Sequence, residues 1–298
     1  MKLIPQDDGT TLYEEIGSFD GEGSELKIVI PNNFFGEGIL DWAKLALAIN
    51  QGAHYDAKTN PFWYDSDSFY NLLLSTPEDI KMIDFLVYFD RMNRAKAKSI
   101  DEALRAFSQN MKSAPLSLPA RTREEADLIL EQLRSYAKEI PASKLGGVGT
   151  LEDFPAYVRT LSSFTLKTTK GKFDAVIPAG VEIYGRADGL GRRQVFVNKT
   201  PTTGDVDISY YEKRINLYGC GLSQVLECPR LAPNPSFWVN VMTPYMPIVS
   251  NGKEPDLSVL AEAIADSLRR VAGQLKKQAG EERTDSSLTR EKYPLRSR

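Results

Sequence analysis

Few residues in this chain could do chemistry. It has one histidine, His54, in the run Gln51-Gly52-Ala53-His54-Tyr55, and two cysteines, Cys220 and Cys228. A nucleophilic hydrolase needs a nucleophile, an adjacent base and an orienting acid. His54 falls at a helix exit and no Gly-x-Ser-x-Gly elbow accompanies it, so a surface histidine is the favoured reading. The counts leave no His-rich or four-cysteine metal site and no disulfide framework. Asp65 and Asp67 could be read as paired carboxylates. They are better explained as caps of the helix that carries Phe69, Leu72 and Leu73. Cys220, in Tyr218-Gly219-Cys220-Gly221, reads as a small buried residue rather than a thiolate nucleophile.

Three segments could meet an anion. Gly146-Gly147-Val148-Gly149-Thr150 could cradle one on backbone N–H groups, but it lacks the Gly-Lys-Ser/Thr ending of a phosphate loop and follows no strand. A flexible connector is therefore expected there. Ser250-Asn251-Gly252-Lys253-Glu254-Pro255 puts a lysine on a Gly-containing loop just before a helix, where ammonium and free helix N–H groups would act together. The bland alternative is a solvated loop lysine. Arg91, Arg94, Lys96 and Lys98 form a basic run at the junction of two helices, suited to phosphates.

Charge is unevenly distributed. Residues 1–90 hold 16 acidic against 5 basic residues, a net of −11, while the remainder holds 24 against 32, a net of +8. The split points to a basic partner surface beyond residue 90, or to two faces of one soluble protein.

The elements that must position these residues follow from periodicity. The first twenty-odd residues read as a hairpin or arm, Ser24–Pro31 as a strand, and Ile39–Ile49 as a helix closed near Gly52. Helical signals run from Asp65 to Ile140. Thr76-Pro77-Glu78-Asp79 has the features of a helix start, and Ser99-Ile100-Asp101-Glu102 and Thr122-Arg123-Glu124-Glu125 fit the capping box. Past Gly149 the period becomes two. Strands are expected at Leu161–Thr168 and Phe173–Ile177 around Lys170-Gly171, and at Val181–Arg186 and Gln194–Asn198 as a second hairpin on Ala187-Asp188-Gly189. Further strands are expected at Val206–Tyr211 and Phe237–Thr243. The stripe Leu257, Leu260, Ile264, Leu268, Val271 and Leu275 predicts a long helix starting at Asp256.

With 298 residues, 42% of them apolar and 26% charged, the chain can bury a core. No stretch approaches the roughly 18 uninterrupted apolar residues of a spanning helix, and the start lacks an apolar signal block. A cytoplasmic protein without membrane contact is expected.

Phe237-Trp238-Val239-Asn240-Val241-Met242-Thr243-Pro244-Tyr245-Met246-Pro247-Ile248-Val249-Ser250-Asn251-Gly252-Lys253-Glu254, with the helix to Lys277, resembles the end of the transducer domain in the B-type subunits of type IIB DNA topoisomerases. Val195-Phe196-Val197-Asn198-Lys199-Thr200-Pro201 is similar to that family's strand ending in Asn-Arg-x-Pro, with Lys199 where arginine is usual. The likeness is fair over about residues 190–277 and weak over 60–160. The adenine, Mg²⁺ and lid motifs of a GHKL ATPase domain do not occur.

The resemblance implies an α+β chain in parts. An acidic strand–helix remnant of a GHKL-like domain spans 1–60, and a helical module of the helix-two-turn-helix kind 61–145. A ribosomal S5-like transducer sheet with a long C-terminal helix spans 150–280, and a polar basic tail 281–298. It further implies a module of a machine similar to DNA topoisomerase VI, on the side of its B-type subunits. Such a module relays the nucleotide state of a GHKL ATPase partner to a DNA-handling partner similar to the A-type subunits. Lys253 would sense the γ-phosphate, Asn198 and Pro201 would be structural, and ATP and Mg²⁺ would enter only through the partner. No catalytic or metal-binding residue is assigned to the chain itself. The alternative is a scaffold binding double-stranded DNA through Arg91, Arg94, Lys96 and Lys98.

Overall fold

A computed structural model describes residues 2–5, 11–14, 47–77, 79–107, 122–202, 206–249 and 254–292. The chain divides into two compact units, Met1–Lys44 and Leu45–Arg298. In the first, β1 (Lys2–Pro5) and β2 (Thr11–Glu14) pair antiparallel, Leu3 opposite Tyr13, which is the hairpin rather than the arm of the two forms expected there. The strand expected at Ser24–Pro31 and most of the helix from Ile39 lie outside the described residues; the helix end at 47–50 and its close at Gly52 do not.

The second unit opens with that helix end, followed by β3 (Ala53–His54), a 3₁₀ turn at Pro61–Trp63, and a helical module. Helix α1 (Ser66–Ser75) is capped by Asp65, whose carboxylate accepts from Ser68 N at 2.6 Å. Then follow α2 (Met82–Leu86), α3 (Arg94–Phe107) and α4 (Arg123–Tyr136). Thr122 and Glu125 close the expected capping box on α4. Two helix starts fall elsewhere than the sequence suggests. Thr76 terminates α1, its hydroxyl donating to Leu72 O, because burial of Met82, Phe85 and Leu86 sets where α2 begins. Ser99 lies inside α3, which starts instead at Asn93, whose side chain accepts from Lys96 N. A ring cluster of Phe69, Phe85 and Phe89, with Phe85 and Phe89 5.4 Å apart edge to face, fills the module with Ile100, Ile129 and Leu133.

Past a 3₁₀ turn at Ala142–Lys144, β4 (Gly146–Gly147) pairs with β3. A mixed five-stranded sheet comprises β5 (Ala156–Leu166), β6 (Ala175–Arg186), β7 (Arg193–Val197), β8 (Thr200–Pro201) and a later strand, β12. Between β8 and β12 lies a three-stranded antiparallel sheet of β9 (Asp207–Tyr211), β10 (Arg214–Gly219) and β11 (Leu222–Glu227). β12 (Ser236–Met242) takes the centre of the large sheet, in the order β5-β6-β12-β7-β8. The hairpin expected on Asp188-Gly189 is therefore absent. β12 is buried at all seven residues and inserts between β6 and β7, antiparallel to the first and parallel to the second. β6 is also one strand, not two. Pro178 is tolerated within it because β12 ends opposite Gly180, leaving β6 flanked at that level by β5 alone.

The two-residue turns Asn198-Lys199, Glu212-Lys213 and Cys220-Gly221 all have positive φ, the geometry that matches the twist of flanking strands. One face of the large sheet packs on α5 (Ala261–Lys292), which follows a 3₁₀ turn at Leu257–Leu260 capped by Asp256. Ile264, Leu268, Val271 and Leu275 meet Ala156, Ile183, Phe237 and Val239 in one core, which also takes the inward face of β9–β11. Gly185 is required there, since a Cβ would overlap the Val271 side chain. α5 continues past 280 to Lys292, where a tail was expected. The chain is thus α+β: a helical module, then a sheet domain with a long C-terminal helix. No described helix is long and apolar enough to cross a membrane.

Module and sheet are joined by the β5–β6 turn. Asp67 accepts from Thr169 N (3.0 Å), Thr169 Oγ1 (2.6 Å) and Lys170 N (3.2 Å), and pairs with Arg123. These bonds, Thr169 first, hold its carboxyl well below the usual carboxylate range. Ser66 Oγ accepts from Lys172 N and Phe173 N. Arg134 donates to Tyr64 O and Asp174 O while lying over the Phe62 and Phe173 rings.

Candidate functional site

The two-residue period of β5, β6 and β12 sends alternate side chains away from α5. That second face carries Tyr157, Arg159, Glu182, Tyr184, Trp238 and Asn240, a polar and aromatic set in strands otherwise rich in Val, Ile and Ala. Glu182 is only 1% exposed. Its carboxylate accepts from Val148 N (2.9 Å), Gly149 N (3.0 Å), Tyr157 OH (2.8 Å) and Asn240 Nδ2 (2.9 Å). Buried charge is tolerated only when so answered.

The glycine segment 146–149 is thus a built cradle for an internal anion, not the loose connector expected. β3–β4 pairing holds Gly146 against Ala53, and a Cβ on Gly147 would stand 2.7 Å from Glu182 Oε1. Arg159 Nη2 donates to Gly146 O and Tyr184 OH to Gly149 O, fixing the cradle from below. Burial first, then the charge of Glu182, push both the Tyr157 and Tyr184 phenols far up, so both stay protonated.

From this network a relay of bonds leads to the sheet edge. Asn240 Oδ1 accepts from Lys199 N at 3.2 Å. The Asn198 side chain pairs with the backbone of Thr243 in both directions, each bond 2.9 Å. Asn198 therefore hooks the β7–β8 turn onto the end of β12, and Pro201 lies in β8 opposite Phe196. Lys199 Nζ reaches back to Gly52 O. Between this turn, His54 and the exit of β12 opens a cleft of about 440 Å³. Tyr55, on its wall, spends its hydroxyl proton on Lys58 O, and burial, then Asp90 and Asp56, raise its phenol. A lysine, an imidazole and amide groups thus line the cleft, all able to donate hydrogen bonds to a bound group.

The remaining candidates lie elsewhere. Arg91 precedes α3, and Arg94, Lys96 and Lys98 lie in its first turns. Each has a local partner: Arg91 with Asp90 at 3.6 Å, Arg94 with Asp84 at 3.1 Å, Lys98 with Glu102 at 3.8 Å, and Lys96 with Arg91 O and the Tyr136 ring. Lys253 lies outside the described residues. The chain around it is framed by a bridge between Ile248 and Pro255 and a bond from Val249 N to Glu254 O. Cys220 is buried in its turn and Asp65 is a cap, as expected. Among the described residues no group of His, Cys, Asp and Glu could hold a metal ion.

Sequence reasoning passed over Glu182 and Asn240. Their signal is there: one acid and one amide, each alone in an apolar strand. No family model matches the chain, and no curated protein matches it in sequence.

Proposed function

We propose that the chain is a transducer module of a machine similar to DNA topoisomerase VI, on the side of its B-type subunits, relaying the nucleotide state of a GHKL ATPase partner to a DNA-handling partner. One observation carries the reading. The central strand β12 leaves the sheet at Met242, passes through a loop closed at its base by the Ile248–Pro255 bridge, and returns as the long helix α5 packed on the same sheet. A displacement of that loop loads both β12 and α5. The Asp67 and Arg134 contacts of the β5–β6 turn would pass it to the helical module.

In this reading Lys253 touches the γ-phosphate, supplied by the partner with its Mg²⁺. The chain alone hydrolyses no ATP. The test is capture of proteins from the source cells on the immobilised chain, with a non-hydrolysable ATP analogue or with ADP. A GHKL-type ATPase retained with the analogue, released by ADP, and lost in Lys253→Ala supports the relay. Retention of no such ATPase, retention indifferent to nucleotide and to Lys253, or ATP turnover by the pure chain overturns it.

A further inference from the structure

The cleft at the β7–β8 turn is independent of any relay. We propose that it binds a small organic oxyanion, a carboxylate or a phosphate monoester carrying an apolar body.

The polar side of the cleft presents donors. Lys199 carries three N–H groups and spends one on Gly52 O. Asn198 commits one amide N–H to Thr243 O and, among the described residues, gives the other to no partner. Asn50 and His54 add an amide and an imidazole. Among the described residues no carboxylate lines the cleft, and none forms an ion pair with Lys199. Yet Asn50 and His54 come from the part of the chain where acids outnumber bases threefold. An ammonium held in place by a backbone bond, beside further donors and with no counter-charge among the described residues, is placed to take an anion.

The apolar side is equally defined. Leu145 and Met242 are buried at 2% and 5% exposure and, with Pro244, form a wall against which a hydrocarbon or aromatic body can lie. The volume suits a ligand of that kind rather than a bare ion. The site is also pre-shaped. Lys199 and Asn198 sit at φ of 67° and 49°, fixed by bonds to Asn240 and Thr243, so little ordering is left for the ligand to induce.

The single histidine makes the test direct, because its Cε1–H gives one NMR resonance for the whole chain. The full chain is titrated at pH 7 and constant ionic strength with phenyl phosphate, benzoate, inorganic phosphate, acetate and chloride. The expected result is a saturable downfield shift with phenyl phosphate or benzoate, at least about tenfold tighter than with the matching bare ion. Which of the two organic probes saturates first sorts phosphate from carboxylate. Saturation is lost in Lys199→Met and kept in Lys199→Arg. Should Lys199→Met fail to fold, Asn50→Asp, at an exposed position, places a carboxylate in the cleft and abolishes saturation without touching the sheet. Linear shifts like those of chloride, or saturation unchanged in Asn50→Asp, overturn the proposal.

Discussion

Replacing Glu182 by glutamine changes one oxygen for an amide group and almost nothing in volume, so its effect isolates the cradle. Oε1 takes Val148 N, Gly149 N and Tyr157 OH; Oε2 takes Val148 N and Asn240 Nδ2. Glutamine can serve the first set with its carbonyl oxygen, but its NH₂ then faces the NH₂ of Asn240. Asn240 cannot turn over in compensation, because its Oδ1 already accepts from Lys199 N. Three charge-assisted bonds become neutral ones, each weaker by roughly 0.5–1 kcal/mol, and a buried donor is orphaned at roughly 1–3 kcal/mol. The sum is roughly 2.5–6 kcal/mol, which at an m-value of about 3 kcal/mol/M lowers the urea midpoint by roughly 1–2 M. The partner change Asn240→Asp restores an acceptor to both the glutamine NH₂ and Lys199 N. Glu182→Gln/Asn240→Asp should therefore recover at least half the loss, though Asn240→Asp alone destabilises by setting two carboxylates together. The assay is urea unfolding followed by tryptophan fluorescence, Trp238 lying on the same sheet face. A Glu182→Gln midpoint within about 0.2 M of the parent, or a double variant no better than additive, would refute the reasoning.

Three further outcomes follow from the packing and the charges. Gly185→Ala forces Val271 and Leu275 off the sheet and should cost about 1–3 kcal/mol in the same unfolding assay, whereas Gly273→Ala, in open space on α5, should be neutral or stabilising. Asp67 has its pKa lowered in the folded state, so its contribution is complete above the unfolded value of about 3.9 and is lost as pH falls below it. The melting temperature of Asp67→Asn should lie below the parent's at pH 6 and converge on it as the pH drops from 4 towards 2; a constant gap would count against this. Burial raises the Cys228 thiol, and Cys220 is buried in its turn, so both should react with a disulfide reagent at pH 8 more slowly than a free thiol until urea is added.

Local chemistry settled much of the fold. Thr122 with Glu125, Asp65 before α1, and the apolar stripe of α5 each act within one or two turns, so their meaning survives without tertiary context. The β5–β6 hairpin on Lys170-Gly171 is of the same kind, since its turn and its alternation lie within a few residues of each other. The order of helical segment, strands and long final helix followed from these.

Other outcomes depended on partners far away in sequence. Asp188-Gly189 has the composition of a hairpin turn, yet β12, some fifty residues on, outcompetes β7 for the edge of β6, because its apolar residues are buried on both faces only there. Thr76 and Ser99 carry helix-start chemistry that is overruled by the ring cluster of the module. The glycines at 146–149 announce an anion cradle but not whose anion. That it is Glu182, 33 residues away from Gly149, and that Lys199 is thereby drawn to the rim of a donor-rich cleft, was decided only when the sheet brought them together: a buried charge and its donors have no spacing rule, only a requirement that they meet.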